Sequence, residues 1–257
     1  MAEWMTEWME NIFALDFKGG PFIIFSASHL VALAAIVLLN CFFILNRRRF
    51  TEQNRKNIRT AIAAILLINE SAWHLWHIAT GAWTIQEMLP LHLCSVLVWA
   101  SAYMLVRKHQ GIYEFAYLIG IAGALQALLT PDLGVYDFPH FRYYQTFISH
   151  GLLVTSAIYM TVVEGFRPYP RSLRNLFIWG NVYMAVITLL NFVIGSNYLF
   201  TAHKPLTASL LDVLPAWPWY ILIIELLAMI FVALFYLPFW IMDLRQRRKN
   251  APAIQLP

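Results

Sequence analysis

With 257 residues, 60% of them hydrophobic and 12% charged, and a mean hydropathy of +0.59, the chain is too apolar for a soluble globular domain of its length. The net charge of +4 and the pI near 9.1 come from Lys and Arg that fall almost entirely outside the long apolar stretches, so the basic runs report membrane topology and are not nucleic-acid patches.

The first segment, 1–21, carries Glu3, Glu7, Glu10 and Asp16 where a cleavable signal peptide would have a positive n-region. Trp4 and Trp8, one helical turn apart, predict a short interfacial helix on the external surface. Seven apolar stretches follow, at 22–45, 58–78, 89–106, 112–129, 143–163, 175–194 and 219–242, each near the roughly 20 residues a helix needs to cross about 30 Å of hydrocarbon. A basic tail, 243–257, closes the chain.

Of the 18 Lys and Arg, 15 fall in the first, third and fifth gaps and the tail; only Lys18, Arg142 and Lys204 fall on the other side. Cations accumulate on the cytoplasmic side of a membrane, so this alternation predicts an all-α polytopic bundle of seven transmembrane helices. The N-terminus would be outside and the C-terminus cytoplasmic. Residues 1–257 form one integral membrane domain without an internal repeat.

Polar residues inside the apolar stretches collect at one depth. Counted from the outer boundary, His29, Glu70, His74, Cys94, Gln126, His150, Asn191 and Glu225 all lie about 5–12 Å deep, and together they draw on every stretch. Glu70, His74 and His77 share one helix face by their i, i+4, i+7 spacing. A single intramembrane His29, Gln126 or Asn191 most often serves as an interhelical hydrogen-bonding group. Convergence from seven helices points instead to a polar pocket open to the outer leaflet, in which Glu70 and Glu225 each require a partner. Asn40, Cys41 and Asn69 read as packing residues, and Trp83, Trp217, Trp219 and Tyr220 as belt aromatics.

Cys94 follows Leu89-Pro90, which reads as a helix start, so the positive end of the helix dipole would favour negative charge on its sulfur. Cys41 and Cys94 lie near opposite ends of their helices, which excludes a disulfide between them. His150 lies at a similar depth to Cys94, on a face with Tyr143, Phe147 and Gly151, where the glycine lets a helix or an acyl chain approach. A thiol and an imidazole within reach of each other form the minimal unit of nucleophilic acyl transfer. His92, two residues from Cys94, points to nearly the opposite face and is the poorer base.

The strings Leu89-Pro90-Leu91-His92-Leu93-Cys94-Ser95, Phe141-Arg142-Tyr143-Tyr144 leading to Ile148-Ser149-His150-Gly151, Gly195-Ser196-Asn197-Tyr198, and Ser209-Leu210-Leu211-Asp212 with Trp217-Pro218-Trp219-Tyr220 resemble the YwaF-type integral membrane proteins of Gram-positive bacteria. That family is similar to the eukaryotic transmembrane protein 164 family and, more remotely, to the androgen-induced and androgen-dependent membrane hydrolases of fatty-acid esters. The resemblance implies a plasma-membrane lipid acyltransferase whose catalytic pair is a Cys and a His on separate helices, matched here by Cys94 and His150. The remote hydrolases have Thr in place of the Cys, which favours transfer over hydrolysis.

An outward-facing pocket cannot draw on cytosolic acyl-CoA or ATP, and the chain has no phosphate-cradling Gly-rich motif. The expected partners are therefore membrane lipids, a phospholipid-type ester as donor and a lysolipid or other hydroxyl as acceptor, with no metal or soluble cofactor. Glu70 or Glu225 would orient an imidazole, and Gln126, Asn191 or His74 would donate to the oxyanion. Two other classes compete. One is a transporter or ligand binder using Glu70, Glu225 and the histidines; the other is a membrane zinc hydrolase using His74 and His77 with His29, His92 or a carboxylate.

Overall fold

The computed structural model describes residues 11–205 and 210–250; the interfacial helix expected around Trp4 and Trp8, Ser209, and the end of the basic tail lie outside them. Seven long helices carry the architecture: α1 (Ala27–Asn46), α2 (Glu52–Ala79), α3 (Leu93–Arg107), α4 (Gln110–Leu129), α5 (Phe141–Val162), α6 (Pro170–Ile194) and α7 (Trp219–Asn250). No β-strand occurs among the described residues. Four of the helices, α1, α4, α6 and α7, are long and apolar enough to cross a membrane, and α3 is a shorter apolar helix of 15 residues. The 28 residues of α2 and 22 of α5 are longer than α3 but more polar, because they carry most of the ionisable groups discussed below.

The helix ends follow local chemistry. Ser26 accepts the amide N–H of His29 to open α1, and Thr51 accepts that of Asn54 to open α2, with Glu52 at the positive end of the dipole. Pro170 occupies the first turn of α6, where its missing N–H costs nothing, and Gly195 closes that helix at φ +67°. Within α4, Ala116–Gly120 is wound as a π-helix.

Several boundaries differ from the sequence expectation, and α2 and α6 begin at Glu52 and Pro170, ahead of their apolar stretches. The α1 helix starts at Ala27, because Phe25 takes φ +60° ahead of the Ser26 cap. The α3 helix starts at Leu93, not at Leu89-Pro90. Side chains from other elements hold that stretch in a loop: Leu89 N–H donates to the Tyr198 hydroxyl at 2.8 Å, and the Tyr183 hydroxyl donates to Leu91 O at 2.8 Å. The α7 helix runs past Met242 to Asn250, taking the start of the basic tail with it.

The hub is α5, which packs against α1, α2, α3 and α4. Tyr143, Phe147, Leu153, Val154, Tyr159 and Met160 of α5 are buried in the main core. Because lipid is as apolar as Leu, close packing and interhelical hydrogen bonds must hold such a bundle together. Glycines supply the closeness: a Cβ on Gly151 of α5 would lie 2.9 Å from two side-chain atoms of Ile36 in α1. Asn40 Nδ2 of α1 donates to Thr155 Oγ1 of α5 at 3.1 Å, and Asn69 Nδ2 of α2 donates to Gln145 O of α5 at 3.0 Å. A second core of Leu118, Leu176, Val232, Tyr236 and Phe239 attaches α6 and α7 along α4.

The helices alternate in direction, and each end of the bundle is tied by its own contacts. At one end Glu164 pairs with Arg59 and, at 2.6 Å, with Lys108, while Lys108 lies 3.5 Å from Glu52. Arg59 Nε also donates to Leu105 O at 3.0 Å, and Arg167 pairs with Asp243 at 2.7 Å. At the other end Trp76 Nε1 donates to Phe13 O at 2.8 Å, the Tyr136 hydroxyl to Leu15 O at 3.1 Å, and Gln86 Nε2 to Ile194 O at 3.2 Å.

Candidate functional site

Cys94 is the second residue of α3, half-buried, with its sulfur against the bare backbone of α4 at Gly123, whose Cβ would stand 3.8 Å from Sγ. Both Cys94 and Cys41 are free thiols, and Cys41 is exposed on α1. The first-turn amides of α3 place a partial positive charge beside Cys94, and the carboxylate of Glu70, within electrostatic reach, opposes it.

His150 lies half-buried on α5. Its Nδ1–H donates to the carbonyl of Thr146, one turn back in the same helix, at 2.9 Å. That bond places the proton of the neutral ring on Nδ1, leaving Nε2 with a lone pair able to take a proton.

Arg142, at the start of α5, packs against α2. Its guanidinium lies 4.1 Å over the ring of Trp73 from α2, a cation–π arrangement, and Nη1 donates to Gln145 Oε1. Glu70 and His150 both lie within electrostatic reach of Arg142, as do His77 and Asp132. Glu70 itself is 3% exposed. Its Oε1 is 3.9 Å from His74 Nε2, and His74 Nδ1 accepts the indole N–H of Trp83 at 3.2 Å, so the neutral His74 ring carries its proton toward the carboxylate. Electrostatic reach links these side chains in series, Cys94 of α3 to Glu70 of α2, Glu70 to Arg142 of α5, and Arg142 to His150, and no hydrogen bond joins Cys94 to His150 among the described residues.

Other expected residues have separate duties. His29 is fully buried with both nitrogens used: Nδ1 accepts Phe25 N–H at 2.9 Å, and Nε2–H donates to Leu128 O at 2.8 Å, fastening α1 to α4. Asn191 ties the turn after α6, with Nδ2 donating to Tyr198 O at 2.8 Å and Thr201 Oγ1 at 2.9 Å, while Oδ1 accepts from Ser196 Oγ and Tyr198 N. Its two N–H groups are consumed, which removes it as an oxyanion donor. His92 precedes α3 at the N-cap position without a side-chain cap bond and packs edge-on to Tyr198, and Leu199 N–H approaches its Nδ1 at 3.4 Å. His77 donates Nδ1–H to Trp73 O at 3.0 Å and lies edge-on to Trp73 and Trp76. Gln126 has an exposed side chain near the end of α4. Glu225 accepts from Asn181 Nδ2 at 2.8 Å on the α6–α7 seam, so its partner is an amide from α6.

Among the described residues no three His, Cys, Asp or Glu side chains are arranged to hold a metal ion. His74 and His77, on which the zinc reading depends, turn instead to Trp83 and Trp73.

Sequence reasoning missed Arg142, Trp73, Trp83 and Gly123. Arg142 was visible as one of three cations breaking the charge partition, yet nothing in its neighbours indicated that it folds inward. Trp83 was grouped with the belt aromatics, although its N–H sets the His74 tautomer. Tyr220 and Trp217 were grouped in the same way and bond inward too, the Tyr220 hydroxyl to Phe200 O and Trp217 Nε1 to Thr201 O at 2.9 Å.

A helical bundle with apolar outer faces around an acid, a thiol, a guanidinium and imidazoles is an integral membrane protein. The chain belongs to the TMEM164 family, whose model matches residues 24–236 and so covers every member of the polar group. We find no match among curated proteins or solved structures.

Proposed function

We propose that this protein is a membrane lipid acyltransferase in which Cys94 carries the acyl chain as a thioester and His150 moves the protons. The observation that carries this reading is the state of His150: an intrahelical bond holds the proton on Nδ1 and leaves Nε2 as a base, and electrostatic reach connects this ring through Arg142 and Glu70 to the half-buried thiol. Membership of the TMEM164 family supports it.

In the first half-reaction Nε2 takes the Sγ proton as sulfur attacks the ester carbonyl of a phospholipid. The tetrahedral intermediate collapses, the ester C–O bond breaks, and the imidazolium returns the proton to the departing lysolipid oxygen. In the second, an acceptor hydroxyl gives its proton to Nε2 and attacks the thioester, and sulfur leaves as the thiol once that proton is returned. His74 Nε2–H and the Arg142 guanidinium are the donors of this group available to a developing oxyanion, and Glu70 sets the local charge. The reading includes seven transmembrane helices with the N-terminus outside, supported by the charge partition and the alternating helix directions; the site then opens toward the outer leaflet and draws its acyl donor from the membrane.

The test incubates purified protein with an isotope-labelled phospholipid and a lysolipid, following transferred chain and the mass of the Cys94 peptide. Wild type should move the chain and accumulate an acyl adduct on Cys94, and Cys94→Ser should do neither. Full transfer by Cys94→Ser overturns the proposal.

A further inference from the structure

The basic end of the bundle holds a second polar site, far along the chain from the thiol. Arg167, Asp243, Gln246, Arg247 and Asn250 line a cleft of about 580 Å³ between the α5–α6 connection and the last turns of α7. Tyr236, Asp243, Arg247 and Asn250 recur at intervals of seven, four and three residues, so they share one face of α7. Arg167 reaches that face from outside, its Nη2 bonding both carboxylate oxygens of Asp243 at 2.7 and 2.8 Å.

Two polar atoms in this region are buried without a hydrogen-bond partner among the described residues: Nε of Arg167, which lines the cleft, and the hydroxyl of Tyr236, which is on the same face of α7 but outside the lining. Tyr236 is 7% exposed and lies within electrostatic reach of Asp243, Arg167 and Arg247. Buried polar groups are normally satisfied, so an unpartnered guanidinium N–H on the cleft wall and an unpartnered hydroxyl on the same face of α7 point to an oxygen-rich acceptor in this region.

Charge indicates which anion. Two guanidinium groups against one carboxylate leave one positive charge, which matches a phosphodiester, and Arg245, Arg248 and Lys249 add cations on the same turns. The setting indicates a lipid. Trp240, Ile241 and Leu244, on those turns of α7, are exposed and apolar, a surface on which acyl chains can lie.

We propose that this cleft binds the headgroup phosphate of an anionic phospholipid, with its chains along α7. The site is independent of the Cys94 chemistry and rests on none of it.

The experiment titrates delipidated full-length protein in detergent with phosphatidylglycerol and, separately, phosphatidylcholine, counting bound lipid by native mass spectrometry. Phosphatidylglycerol should bind about tenfold tighter, and Arg247→Gln and Tyr236→Phe should each weaken it about fivefold. Tyr236→Phe is the informative variant, since it deletes only the hydroxyl and keeps the packed ring. Unchanged affinity in both variants, equal affinity for the two lipids, or displacement of bound lipid by millimolar inorganic phosphate would each overturn the proposal, the last by making this a soluble-anion site.

Discussion

The Nδ1–H of His150 is donated to the main-chain carbonyl of Thr146 at 2.9 Å, so backbone geometry alone fixes the proton-bearing nitrogen of this ring. Because the acceptor is a main-chain atom of the same helix, replacing the Thr146 side chain leaves the tautomer unchanged. His150→Ala removes the proton acceptor altogether. It is expected to lower the rate of acyl transfer about 10²–10⁴-fold, with little change in thermal stability, as read from single-turnover acylation of Cys94.

Gly151, the next residue, is a packing device. Its absent Cβ is what allows Ile36 of α1 to sit against α5, with the nearest side-chain atoms 2.9 Å from where a Cβ would be. Gly151→Ala should cost about 1–3 kcal/mol of stability by overpacking. Adding Ile36→Ala should recover part of that loss. The coupling is measured as a double-mutant cycle on thermal unfolding of the detergent-solubilised protein, and additive losses would contradict the close approach.

At the basic end, Glu164 is 2% exposed in its side chain and bridges Arg59 of α2 to Lys108 at the end of α3. Glu164→Gln strands the Arg59 cation, 8% exposed in its side chain, and should cost about 3–5 kcal/mol. Glu52→Gln removes a carboxylate that is 72% exposed and should cost less than about 1 kcal/mol. Comparable losses in the two variants would mean that the buried bridge is not what joins these helices.

His140 gives the end of the bundle opposite the basic one a pH dependence. It is fully buried, caps α5 by accepting Arg142 N–H at its Nδ1 at 3.0 Å, and donates Nε2–H to Ala14 O at 3.0 Å. Burial holds the ring below the ordinary histidine value of 6.5, with the Ala14 bond working against that and the Arg142 cation adding to it. An unfolded or detached chain therefore binds the proton more readily. Stability from the neutral ring is complete above about pH 6.5 and declines as the pH falls below it. Wild-type melting temperature should drop between pH 7.5 and 5.5 by more than that of His140→Asn, which keeps a capping oxygen without a titrating ring.

Orientation is open to direct labelling. In a background without Cys41 and Cys94, single cysteines at Thr84, Asp137 and Lys204 should react with a membrane-impermeant maleimide on intact cells, and those at Arg49, Lys108 and Arg171 only after lysis. The reverse pattern would turn the bundle over and readmit cytosolic acyl donors.

Hydropathy and charge placement were enough to locate the seven helical segments, because helix length and the cost of moving cations through hydrocarbon act locally and leave marks in composition. The depth expected of the polar residues follows in the same way from the fixed rise per residue. Which polar residues meet does not. His29 and Asn191 share an expected depth with Cys94, yet their hydrogen bonds are consumed by Phe25, Leu128, Tyr198 and Thr201; Glu225 turns to Asn181 on another seam. Helix rotation and neighbour choice decide this, and both arise from close packing at places such as Gly123 and Gly151, where the signal is a missing side chain. Tertiary structure likewise drew Arg142 inward over Trp73 and made a loop of Leu89-Pro90, because the tyrosines and tryptophans that hold them come from elements remote in sequence.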